Sequence, residues 1–202
     1  MAKVRFLKHD QIENATLCLL AEYGRKYGEV SEPPVPVEEI LSAHLGLTLD
    51  FDDLPTRLGT PDVLGATWIA DKLVIVDQSL DPIENPRKEG RYRFTLSHEI
   101  GHWELHRHGF LAAAAQPSLF GSKPEPSIVC RTSSRKEPME WQADMFSGYL
   151  LMPTEMVLAA WRQRFGNLDP YIAKDEMANL SAKWGLADDE RPTVDVAKDL
   201  AR

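Results

Sequence analysis

His98, Glu99 and His102 are the residues of this 202-residue chain whose types and spacing most plainly suggest chemistry. On an α-helix each residue turns the chain by about 100°, so side chains four apart lie about 40° apart around the axis and about 6 Å along it. Two imidazoles at that separation can share one ion. In this H-E-x-x-H arrangement the histidines bind Zn²⁺, and the carboxylate between them takes a proton from water on the metal. A pentapeptide alone can arise by chance on an amphipathic helix, so its neighbours matter. Tyr92, Leu96, Ile100 and Trp103 recur at i, i+4, i+8 and i+11 and form an apolar stripe roughly opposite the histidines. Such a helix can pack on one side and present ligands on the other.

A catalytic zinc needs a third protein ligand and keeps its fourth position for water. Two residues compete for that role. His108 stands ten residues after His98, the metzincin spacing, but Leu105 occupies the place where that pattern has glycine. Leucine is a strong helix former, and along a continuing helix His106 and His108 lie about 12 and 15 Å from His98. Both are then expected on the surface or behind the ligands rather than on the ion. The other candidate is Glu140. Pro138 suits a first helical turn, which puts Glu140 and Asp144 on one face with Trp141, Met145 and Met152 on a neighbouring apolar one. A solvated acidic face would look the same. A metal site, however, uses such a pair if Glu140 binds the ion and Asp144 accepts the free N–H of a ligand histidine.

His98-Glu99-Ile100-Gly101-His102, Glu140-Trp141-Gln142-Ala143-Asp144-Met145-Phe146 and Leu150-Leu151-Met152-Pro153 together resemble the ImmA/IrrE family of bacterial metallo-endopeptidases. The likeness is specific in the two helices and looser over about residues 10 to 165. It implies a compact zincin-like fold, with a small mixed sheet packed on the H-E-x-x-H helix. It also implies His98, His102 and Glu140 as zinc ligands, Glu99 as general base and a helix-turn-helix transcriptional repressor as substrate. Some members of that family continue into a helix-turn-helix and a further sensory domain; with the sequence ending at Arg202, the latter is not expected here.

The elements that must position these residues are legible in outline. Asp10-x-x-Glu13 reads as a capping box opening a helix with Ile12, Ala15, Leu19 and Tyr23 on one face. Ser31 to Pro36 is a stiff extended connector, and Val37, Ile40, Leu41 and Leu45 give a short amphipathic helix closed by Gly46. Leu47, Leu49 and Phe51 alternate with polar residues as in a half-buried strand. Residues 64 to 69 and 73 to 77, separated by Ala70-Asp71-Lys72, read as a β-hairpin, and Gly65 to Ile69 are expected to form an edge that a substrate peptide could join as an added strand. From His108 to Lys136 the pattern is Ala- and Pro-rich, with one strand-like piece at Ser127 to Arg131, and reads as a long loop that could cover the site. Cys130 within it is either a small buried hydrophobe or a thiolate able to reach the open coordination position and keep the site latent. Residues 154 to 165 and 171 to 184 read as helices anchored by Trp161, Phe165 and Trp184.

Composition bounds the rest. The hydrophobic content of 43% supports one sizeable α+β core, expected over residues 1–153, with 154–202 a helical extension packed on it or part of the same domain. A net charge of −8 gives no basic footprint for direct nucleic-acid binding. Two cysteines, no signal-peptide core and no apolar run of about 18 residues point to a cytoplasmic protein outside the membrane. The expected function is a zinc-dependent endopeptidase acting on a cytoplasmic protein, with Zn²⁺ as cofactor. The competing reading is a metal-stabilised anti-repressor that sequesters its partner without cutting it.

Overall fold

The computed structural model describes residues 5–114, 126–131 and 137–168. The chain divides into two compact units, Met1–Val157 and Leu158–Arg202, and the residues singled out above lie in the first. Among the described residues no helix is long and apolar enough to cross a membrane.

Helix α1 (His9–Tyr27) starts earlier than Asp10-x-x-Glu13 suggested. The Lys8 amide donates to Gln11 Oε1 at 3.0 Å, so glutamine closes the first turn and Glu13 instead accepts from Thr154 Oγ1. Ile12, Thr16, Leu19 and Tyr23 form its buried stripe. The short helix α2 (Val37–Glu39) widens into a π-turn over Ile40–His44, and Gly46 at φ +67° reverses the chain where a side chain would be strained.

Four strands follow the patterns that announced them. Strand β1 (Thr48–Asp52) runs parallel to β3 (Leu73–Asp77), β2 (Val63–Trp68) is antiparallel to β3, and β4 (Ile128–Arg131) is antiparallel to β2. The order is β1-β3-β2-β4, so β2 is paired on both sides and the expectation of an open edge at Gly65 to Ile69 is wrong. The sequence between the ligand helices returns to the sheet as β4, which no local pattern in β2 could reveal. Period-two alternation divides β3 between two layers. Val74 and Val76 join the main core with Leu96, Ile100 and Phe146. Ile75 turns to the other face with Ala66, Trp68 and Leu54 of helix α3 (Leu54–Leu58).

Helix α4 (Glu89–Ala114) crosses the first of these faces. Tyr92, Leu96, Ile100 and Trp103 are all buried in the core, as their spacing requires. The helix passes Leu105 unbroken and includes residues 108 to 114, which had read as the start of a loop. The expectation of a cover at 115–125 and 132–136 lies outside the described residues. Helix α5 (Pro138–Leu151) opens on proline and buries Ala143, Phe146 and Leu150 against α4 and α1. Met152, expected on its apolar face, is exposed just past the helix end. In helix α6 (Thr154–Phe165) the rings of Trp161 and Phe165 meet at 4.4 Å; the helix expected over 171 to 184 lies outside the described residues.

Candidate metal centre

Two helices bring the site together, and a glycine sets their distance. A Cβ built on Gly101 would lie 3.1 Å from Phe146 Cβ and 3.3 Å from Ala143 Cα, so α4 and α5 touch where α4 has no side chain. Ser147 Oγ donates to the Phe94 carbonyl at 3.0 Å and pins the same crossing. Glu140 stands one turn before Ala143 and Asp144 directly after it, and the close approach delivers both to the histidine face of α4. Gly101 thus has a packing reason that its place inside the H-E-x-x-H pentapeptide did not reveal.

His98 Nε2 lies 2.9 Å from His102 Nε2 and 3.2 Å from Glu140 Oε2, while His102 Nε2 is 3.4 Å from Glu140 Oε1. The three ligand atoms fall within 4.8 Å of one another. Nitrogen and oxygen ligands bound tetrahedrally at about 2.0–2.1 Å stand about 3.3 Å apart, so this spacing fits one small cation. His98 and His102 are buried and Glu140 nearly so. The other nitrogen of His98 is 3.1 Å from Asp144 Oδ1, the placement expected for a carboxylate that orients a ligand imidazole. His108 is exposed on the continuing helix and is not part of the cluster.

The charges of the cluster act on one another. Burial pushes His98 down, but hydrogen bonds from Asp144, Cys130 and Glu140 outweigh it and raise the imidazole well above its ordinary range. Burial likewise penalises the Glu140 carboxylate, yet its bonds with His102 and His98 prevail and lower it to about 2. Glu99 is shifted the other way: burial raises it, opposed by the charges of His102 and His98 and by the Thr67 hydroxyl. Thr67 Oγ1 donates to Glu99 Oε2 at 2.5 Å, leaving Oε1 fully buried and without a hydrogen-bond partner. A buried carboxylate oxygen with no donor is costly unless something outside the protein completes it, such as a water between this residue and a metal.

Strand β2 roofs Glu99 closely. A Cβ on Gly65 would lie 2.5 Å from Glu99 Oε1, and residues directly paired in antiparallel strands share a face. Cys130, paired with Gly65, therefore turns toward the same side, where it meets His98. Burial raises its thiol, and His98 opposes the rise. The sulfur is not one of the three clustered ligand atoms.

Gly65 and Thr67 were missed in the sequence. A glycine inside a strand pattern is the one local signal that could have drawn attention to Gly65 as a place of close approach. Residues 83–186, just over half of the chain, match the IrrE N-terminal-like domain of the peptidase M78 family. No curated protein matches the sequence. The matched segment contains both ligand helices with the His98, His102 and Glu140 cluster, and the chain belongs to the peptidase M78 family.

Proposed function

We propose that the chain is a zinc-dependent endopeptidase whose substrate is a cytoplasmic helix-turn-helix transcriptional repressor. The observation that carries the reading is the convergence of His98 Nε2, His102 Nε2 and a Glu140 oxygen around one point, with an unpartnered Glu99 oxygen on the same helix. These three side chains would hold Zn²⁺, and Asp144 would keep the His98 proton on Nδ1 so that Nε2 is free to bind. When bound, the ion supplies Lewis acidity, polarising the scissile carbonyl and acidifying the attacking water. Glu99 Oε1 would take up the proton of that water and give it to the leaving amine. Thr67 holds Oε2, so the carboxylate cannot turn away. Gly65 keeps the roof thin enough for the carboxylate to fit.

Substrate form follows from strand pairing. Because β2 is paired on both sides, the described edge on this side of the sheet belongs to β4. An edge receives extended chain, so cleavage is expected in a loop or locally unfolded linker rather than in a packed helix. Support for a repressor comes from the family and from charge: a chain of net charge −8 attracts a partner with a basic DNA-reading surface.

The test is co-expression of candidate repressors, such as one encoded beside this gene, with the wild-type chain and with Glu99→Gln. That substitution leaves the ligands in place and removes the base. Repressor fragments and derepression with wild type alone are the expected result. Equal derepression by both, with the repressor at full length, replaces catalysis with sequestration by a non-cleaving anti-repressor.

A further inference from the structure

The two histidines of the metal cluster are held from behind by different groups. His102 offers Nε2 to the cluster, so its proton must sit on Nδ1, and a buried N–H needs an acceptor. For His98 the acceptor is the Asp144 carboxylate. His102 Nδ1 instead faces His106 Nδ1 at 3.1 Å, with His102 fully buried and His106 4% exposed. Two ring nitrogens at that distance share one proton, and because His102 supplies it, His106 Nδ1 must be bare. Neutral His106 then carries its own proton on Nε2.

That second proton has a matching acceptor. His106 Nε2 and Gln142 Oε1 are both buried, both without a hydrogen-bond partner, and Gln142 is among the groups that act on His106. The amide of Gln142 cannot be turned the other way, because its Nε2 donates to the Arg5 carbonyl at 3.2 Å and a carbonyl can only accept. Leaving one such donor and one such acceptor buried and unpaired is costly, which favours joining them.

Resting on the metallopeptidase reading above, we propose that His106 is a positioning residue for the ligand His102, and that Gln142, anchored on the Arg5 carbonyl, fixes His106 in turn. The direction of every proton in this series is set from one backbone oxygen near the N-terminus. Helical spacing makes it possible, since His98, His102 and His106 follow one another at i, i+4 and i+8. It also makes the ligands unequal: His98 leans on an anion and His102 on a neutral ring.

The experiment uses the full chain loaded with zinc. Imidazole nitrogen-proton NMR of the wild type should find His102 protonated on Nδ1 and His106 on Nε2 alone. A His106 ring protonated on Nδ1, or on both nitrogens at neutral pH, overturns the proposal without any variant. Chelator competition on His106→Phe should then give a zinc affinity lower by roughly 10–100-fold, the usual cost of losing an outer partner. His106→Gln, whose amide oxygen can accept from His102, should recover most of that loss. No loss in His106→Phe, or an equal loss in His106→Gln, reduces His106 to packing. A wild-type chain that binds no zinc overturns the metallopeptidase reading itself, an outcome distinct from zinc binding with the wrong tautomer.

Discussion

Gly65→Ala perturbs the site through a single methyl group. The added Cβ would sit 2.5 Å from Glu99 Oε1 and 2.9 Å from Thr95 Cγ2, the first about 0.9 Å inside the 3.4 Å of ordinary contact. Glu99 has little room to retreat, because it is fully buried and its other oxygen is tied to Thr67 on the same strand. Either β2 lifts or the carboxylate moves by most of an ångström. Overpacking of this kind costs about 1–3 kcal/mol, a fall in Tm of about 2 to 12 °C for a chain of this size. A catalytic group misplaced by about 1 Å loses about 100-fold in rate, equivalent to about 2.7 kcal/mol of transition-state stabilisation. The ligands are untouched, so zinc affinity should hold. Cleavage of the repressor identified by co-expression, chelator competition and thermal unfolding measure the three effects. Gly148→Ala on α5, where nothing lies within 4 Å, is the control and should stabilise by up to about 1 kcal/mol. Wild-type cleavage by Gly65→Ala would refute the claim that β2 fixes Glu99, and loss of zinc together with activity would place the damage in the ligands instead.

Glu140→Ala should abolish stoichiometric zinc binding and His108→Ala should leave it intact, as read by metal analysis of the purified variants; the opposite pattern would return the third ligand to His108. Asp144→Ala should keep the fold and weaken zinc binding by roughly 10–100-fold in a chelator titration; unchanged affinity would make Asp144 a solvated surface residue. Acidity offers a further check on the metal-free chain. His98 is raised in the folded state, so its contribution is full below its ordinary 6.5 and is lost as pH rises through the raised value. Glu140 is lowered to about 2, so its contribution is present above 4.5 and is lost as pH falls toward 2. Thermal unfolding without metal should therefore show this pair stabilising most between those limits. Zinc, which needs His98 unprotonated, should bind more tightly as pH rises; a metal-free chain that gains stability steadily above pH 6.5 contradicts the scheme.

The part of this site that was legible in the sequence is the part built by helical periodicity. His98 and His102 four apart, Glu140 and Asp144 four apart, and the stripe from Tyr92 to Trp103 all depend on geometry that one helix imposes on itself. What stayed hidden depends on pairings between distant segments. Thr67 reaches Glu99 across 32 positions, and Gln142 reaches Arg5 across 137. Strand β4 closes on β2 only after the whole of α4 has been traversed. His106 lay between these cases. Its spacing along the helix put it either on the surface or behind the ligands, and only the packing of α5 over it decides for burial behind His102.

An ion held by the cluster would also tie the chain into a ring. His98 and Glu140 stand 42 positions apart, and a bound ion joining them closes that length of chain as a covalent cross-link would. Holding the ends of such a segment together removes conformational freedom from the unfolded chain, on the order of 4 kcal/mol by the loop-closure expression for cross-links. Closure cost grows only with the logarithm of length, so the 42 positions between these two residues cost little more to close than a much shorter loop would. In polymer terms an ion between α4 and α5 would tie one knot at the two ends of that segment, and the pairing of β4 with β2 ties a second one inside it.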